Sequence, residues 1–154
     1  MDLPRDLIDL LAAFASEKVD FVLVGGHAVA FHSIPRATKD LDVLLASTPG
    51  NQERAAAALA KFGAPRNVVD AARHMTEDEI VYVGRPPQRI DVLRRIDGVS
   101  ANEVLAHAVA TTFGGVAVKV ISLDDLIANK RASARPQDIL DVAALERARA
   151  RRSP

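Results

Sequence analysis

The chain is 154 residues long and 49% apolar, and its 20 basic and 20 acidic residues cancel to no formal net charge. Such a chain can bury one core, which excludes a disordered protein, and the charge balance excludes a global field for nucleic acid. The absence of cysteine excludes disulfides and thiolate metal sites and fits a cytoplasmic protein. The opening MDLPRDLIDL is acidic and amphipathic, unlike a secretory signal, and no apolar run approaches the ~18 residues of a membrane helix. Charge is nonetheless uneven. Arg85, Arg89, Arg94 and Arg95 form one basic cluster, and residues 147–152 hold four more arginines.

In chain order, residues 3–18 read as a helix, with Leu7, Leu10, Leu11 and Phe14 on one stripe. Pro4 fits its first turn and Asp2 its cap. The Val-rich run 19–24 is too short for a helix and reads as a buried strand. Gly25-Gly26 ends it, and residues 27–33 form a short helix stopped by Pro35. Residues 40–46 are a second strand, 48–51 a turn, and 52–62 a helix closed by Gly63. Residues 64–76 read as irregular. Residues 80–83 and 89–93 form an antiparallel hairpin around a Pro-rich turn. Ser100, with Glu103, caps a helix over 101–107. Gly114-Gly115 precedes a strand over 116–121. Ser122, with Asp125, starts a helix whose apolar side is Leu123, Leu126 and Ile127. Pro136 breaks that helix and opens the last one, with Ile139, Leu140, Val142, Ala143 and Leu145 as its buried face and a frayed end from 149 onward. No repeat or linker divides the chain. The expected architecture is a single α/β (α+β) domain over 1–154, a mixed β-sheet flanked by helices.

The stretch over 22–45 carries the chemistry. Alternation puts Asp40 and Asp42 on one face of their strand, a few ångströms apart. Like charges that close need a proton or a cation between them, and two hard oxygen ligands suit Mg²⁺. Gly25 and Gly26, between strand and helix, let a backbone with free N–H groups approach phosphate. Asp91, alone among apolar neighbours in Arg89-Ile-Asp91-Val-Leu, is either ion-paired to Arg89 or Arg95, or a third carboxylate of the site. Arg36 is either a surface residue or a phosphate clamp. His32, His74 and His107 are isolated, so a histidine metal triad is not expected. The basic clusters are either solvated surface or a guide for an RNA acceptor.

Gly25-Gly26, Pro35-Arg36, Thr38, Asp40-Leu-Asp42, Arg89-Ile-Asp91-Val-Leu and Leu126-Ile-Ala-Asn-Lys130, in that order, resemble the nucleotidyltransferase superfamily of DNA polymerase β type. The string looks most like its stand-alone bacterial AbiEii-type toxins. The resemblance implies a nucleotidyltransferase fold and Mg²⁺- or Mn²⁺-dependent transfer of a nucleoside monophosphate from a triphosphate to an acceptor hydroxyl. Asp40, Asp42 and Asp91 would be catalytic and metal-binding. Gly25, Gly26, His27, Arg36, Thr38 and Lys130 would bind nucleotide, with Asp138 or Asp141 as an acidic partner of Lys130. Where many members have Gly-Ser, this chain has Gly26 followed by His27. The acceptor would be RNA, tRNA or protein, and the role that of a toxin or phage-defence enzyme with a cognate antitoxin. The alternatives are an antitoxin that nucleotidylates a partner toxin, or an inactive nucleotide- or protein-binding module of the same fold.

Overall fold

The computed structural model describes residues 4–35, 38, 40–86 and 88–152. Helix α1 (Arg5–Ser16) buries Leu7, Leu10, Leu11 and Phe14, and Pro4 stands at its N-cap rather than in the first turn. The expected Asp2 cap lies outside the described residues. Strand β1 (Phe21–Val24) is buried at every position. Helix α2 (Gly25–His32) follows it directly, starting two residues earlier than the sequence suggests. Strand β2 (Leu41–Leu45) is next. Helix α3 (Asn51–Phe62) ends on Gly63, whose φ of 99° only glycine adopts readily.

The stretch expected to be irregular is helix α4 (Arg66–His74), started by Pro65 and burying Val69 and Ala72. Its apolar side is too narrow to stand out among eight polar or charged neighbours over 66–78, and packing against α3 decides it. Strands β3 (Ile80–Val83) and β4 (Ile90–Leu93) form the expected antiparallel hairpin. Ser100 Oγ accepts from the Glu103 N–H at the start of α5 (Ala101–His107). A strand absent from the sequence reading follows, β5 (Val109–Phe113), most of whose side chains are exposed or half-buried. It pairs only with β6 (Val116–Val120) and closes one edge of the sheet, where little burial leaves little apolar pattern.

Ser122 Oγ caps α6 (Leu123–Ser133) by accepting from the Asp125 N–H, as expected. In α7 (Pro136–Arg152) the buried positions are Asp138, Asp141, Leu145 and Ala148. Ile139 and Leu140, expected inside, are 62% and 65% exposed. The helix is turned because two of its acids face a buried lysine of α6. Among the described residues its end does not fray. Arg152 is helical and donates to the His32 carbonyl at 3.0 Å.

The sheet runs β3-β4-β2-β1-β6-β5. Pairs β1–β2, β3–β4 and β5–β6 are antiparallel, while β2–β4 and β1–β6 are parallel. Helices α1, α3 and α4 pack as one group and α2, α6 and α7 as another. Buried on both faces, β1 and β2 can be almost wholly apolar. Asn51, 1% exposed, clamps the far end of that pair. Its Nδ2 donates to the carbonyls of Asp20 and Ala46, and its Oδ1 accepts from the Asp20 N–H at 2.8 Å. Among the described residues no helix is long and apolar enough to cross a membrane.

Candidate active site

At the other end of β1 and β2 the register aligns one row of residues. Val24 pairs with Asp42, Asp42 with Asp91 and Asp91 with Tyr82, across β1, β2, β4 and β3. In-register neighbours on adjacent strands share a face, so Asp42 and Asp91, distant in sequence, stand side by side. Asp40 immediately precedes β2. The Asp42 carboxyl is pushed up to about 7 by burial first, then by Asp91 and Asp40, with Lys130 and Arg135 pulling the other way. The cluster therefore holds more negative charge than its surroundings comfortably support.

Gly25 fits this crowding. A Cβ there would lie 2.0 Å from Asp42 Oδ2, and the backbone φ is +70°, so side-chain size and backbone conformation both require glycine. The N-cap of α2 is Val24, with no side-chain hydrogen bond, so no polar side chain caps the first amides of the helix.

Arg89 spans two of the acids. Its Nε donates to Asp91 Oδ1 at 2.7 Å, and its Nη2 donates to Asp91 Oδ2 at 3.1 Å and Asp40 Oδ2 at 3.3 Å. The guanidinium also lies 4.4 Å from the Tyr82 ring centroid. Hydrogen bonding to Asp91, ahead of the charges of Asp91 and Asp40, holds it more firmly protonated than usual. Of the two arginines the sequence offered Asp91, Arg89 takes the pairing, while Arg95 pairs with Asp78 and Arg94 donates to the Met75 carbonyl. Asp40 Oδ1 is buried and has no hydrogen-bond partner among the described residues.

A second group comes from α6 and α7. Lys130 is buried, only 7% exposed. Its Nζ lies 3.1 Å from Asp138 Oδ1 and 3.2 Å from Asp141 Oδ2, so it engages both candidate acids. Arg135 adds its backbone N–H and its Nε to Asp138 Oδ2. Burial pushes the Asp138 carboxyl up, but the hydrogen bonds from Arg135 and Lys130 outweigh it and hold the group well below the carboxylate range. Lys130 and Arg135 both act on Asp42, which ties this group to the acid row. Nothing in the sequence marks Arg135, since an arginine before a proline carries no motif. Arg89 was visible only as a possible ion-pair partner.

The remaining sequence candidates are placed as follows. His27 is 5% exposed, packs edge-on to Phe113 with ring centroids 6.5 Å apart, and is held below its usual pKa by burial. It lines a cavity of about 280 Å³ with Ala30, Phe31, Pro35, Thr112 and Phe113. Thr38 is half-buried, and Arg36 lies outside the described residues. His32 is structural: its Nε2 contacts the Ile121 carbonyl at 2.7 Å. His107 pairs with Asp125.

Among the described residues no three His, Asp or Glu side chains are gathered as a ready metal cage. The donor set still fits a divalent cation. It offers hard carboxylate oxygens only, one of them a buried orphan on Asp40, beside an Asp42 whose ionisation a nearby cation would favour.

A family model described as "Nucleotidyl transferase AbiEii toxin, Type IV TA system" matches residues 9–153. No curated protein matches the chain. Among solved structures, the lincosamide antibiotic adenylyltransferase LnuA, lincomycin-bound, superposes with a TM-score of 0.61 at 14% identity, over 95% of this chain and 98% of its own. The antibiotic-resistance factor ANT(2″)-Ia gives 0.60 at 16% identity, over 95% and 88%. The Thermotoga maritima protein TM1012 gives 0.56 at 14% identity, over 96% and 92%. At such identities the likeness speaks to the fold, a mixed six-stranded sheet between helices.

Proposed function

Because the chain belongs to the AbiEii nucleotidyl transferase family, we propose that the Asp40–Asp42–Asp91 row carries transfer of a nucleoside monophosphate from a nucleoside triphosphate to an acceptor hydroxyl. The observation that supports this most is the register of Asp42 with Asp91 beside the glycine start of α2. Asp40, Asp42 and Asp91 would hold Mg²⁺ or Mn²⁺, which when bound neutralises charge developing on the transferred phosphate.

The chain's own groups do the rest. The amides of Gly25 and Gly26, at the positive end of α2, bind and orient the triphosphate. His27, Arg36 and Thr38, on the same stretch, are proposed phosphate contacts, and Lys130 adds positive charge from α6. Asp91 accepts the proton of the acceptor hydroxyl at a carboxylate oxygen. The acceptor's hydroxyl oxygen then bonds the α-phosphorus as the bond to the β-phosphate oxygen breaks, and pyrophosphate leaves. Much of the rate gain comes from fixed charge and orientation.

The acceptor is proposed to be RNA, tRNA or protein in the cytoplasm, and the role one half of a toxin–antitoxin pair. Incubating the chain with Mg²⁺, each labelled triphosphate, and either total RNA or cell protein tests this. Label should enter one pool, and Asp42→Asn should abolish it. Full activity of Asp42→Asn under saturating Mg²⁺ removes the assignment. The Arg89 bridge across Asp40 and Asp91 favours a second reading, a module that kept the fold without the catalysis. Absence of metal-dependent triphosphate binding in titrations with MgATP and the other triphosphates selects it.

A further inference from the structure

Arg89 touches both outer members of the acid row. It forks onto Asp91 with two hydrogen bonds, reaches Asp40 with a third, and rests on the Tyr82 ring. Its guanidinium is 29% exposed and Asp91 only 13%, so on that side the arginine covers the carboxylate. A planar fork bound bidentately is a strong, oriented counter-ion. The aromatic face holds a cation without consuming a carboxylate oxygen, so Tyr82 can keep the guanidinium after the acids release it.

We propose that Arg89 is a positioning residue that serves as resident counter-ion of the acid row. It holds Asp40 and Asp91 in place, and a divalent cation enters only as the guanidinium gives them up to meet a triphosphate while resting on Tyr82. This rests on the reading that the acids hold a metal. Metal and arginine then compete for the same oxygens. A triphosphate relieves that competition by giving Arg89 another anion, so metal and nucleotide each tighten the other's binding. Such coupling is reciprocal.

The chain has one tyrosine and no tryptophan, so its tyrosine emission comes from Tyr82 alone. The test titrates Mg²⁺ into the full chain by calorimetry and by Tyr82 emission, with and without a non-hydrolysable triphosphate, in the parent, Arg89→Met, Arg89→Lys and Arg95→Met. Loss of a charge-assisted fork should let Arg89→Met bind Mg²⁺ alone about tenfold more tightly, with the triphosphate adding little. Arg89→Lys should fall between it and the parent, and Arg95→Met should match the parent. Parent Tyr82 emission should change with Mg²⁺, and that of Arg89→Met should not. Mg²⁺ affinity unchanged or weakened in a folded Arg89→Met, while the parent still binds, overturns the proposal and leaves the metal reading standing. No Mg²⁺ binding by any form, with or without triphosphate, overturns both.

Discussion

At the scale of single residues, the acid row makes two opposite demands. Asp42 is crowded by its neighbours, so Asp42→Asn should lose at least about 100-fold in transfer while its melting temperature stays level or rises. A clear drop in melting temperature would mean that Asp42 holds the fold instead. Gly25 is the reverse case. Gly25→Ala places a methyl against Asp42 Oδ2 at a positive φ, and should lose roughly 2–4 kcal/mol in urea unfolding. A loss under ~0.5 kcal/mol would show that the carboxylate steps aside freely. Much of this was legible in the chain itself. Alternation placed Asp40 and Asp42 together, and the glycine pair announced the turn. That Asp42 itself fills the space over Gly25 was not legible, because sequence patterning carries no information about contacts between strands and the loops they abut.

At the scale of elements, α6 and α7 meet through charge as much as through apolar packing. Lys130 is buried against Asp138 and Asp141, so Lys130→Met takes a buried cation from two acids and should destabilise the protein by about 3–5 kcal/mol. Calorimetric or urea unfolding checks it. The same ion group explains the misread face of α7. Helical periodicity alone favours Ile139 and Leu140 as inward, whereas pairing to a buried lysine turns Asp138 and Asp141 inward instead. Leu140→Gln should then change stability by less than about 0.5 kcal/mol, against about 3 kcal/mol for Leu145→Ala. Equal losses at both positions would restore the sequence-derived face. Two elements escaped the sequence reading for a common reason. Helix α4 and strand β5 are short and lie at the periphery, where tertiary contacts rather than strong patterns decide the local structure.

At the scale of the whole molecule, His32 joins three parts. Its Nε2–H donates to the Ile121 carbonyl after β6, and Arg152 of α7 approaches both its Nδ1 and its carbonyl. Burial foremost, then the Arg152 charge, holds its pKa below 6.5 in the folded state, against the hydrogen bond to Ile121. A depressed folded pKa means the stabilisation is complete above the unfolded value and is lost as pH falls through the folded one. The advantage of the parent over His32→Gln, read by urea unfolding, should therefore be largest near pH 7 and shrink below about pH 6.5. Asp42 works in the opposite sense, so the difference between the two proteins is the quantity to follow. A difference that is flat from pH 7 to 5 would exclude the histidine. The sheet's pairing order was beyond the sequence, since periodicity identifies strands without saying which lie together. That order has a temporal consequence. Arg89 and Asp40 are 49 positions apart, and the two halves of the acid row meet through the parallel β2–β4 contact. Such distant pairings form slowly. A chain emerging from the ribosome thus carries no assembled acid row until β4 has followed.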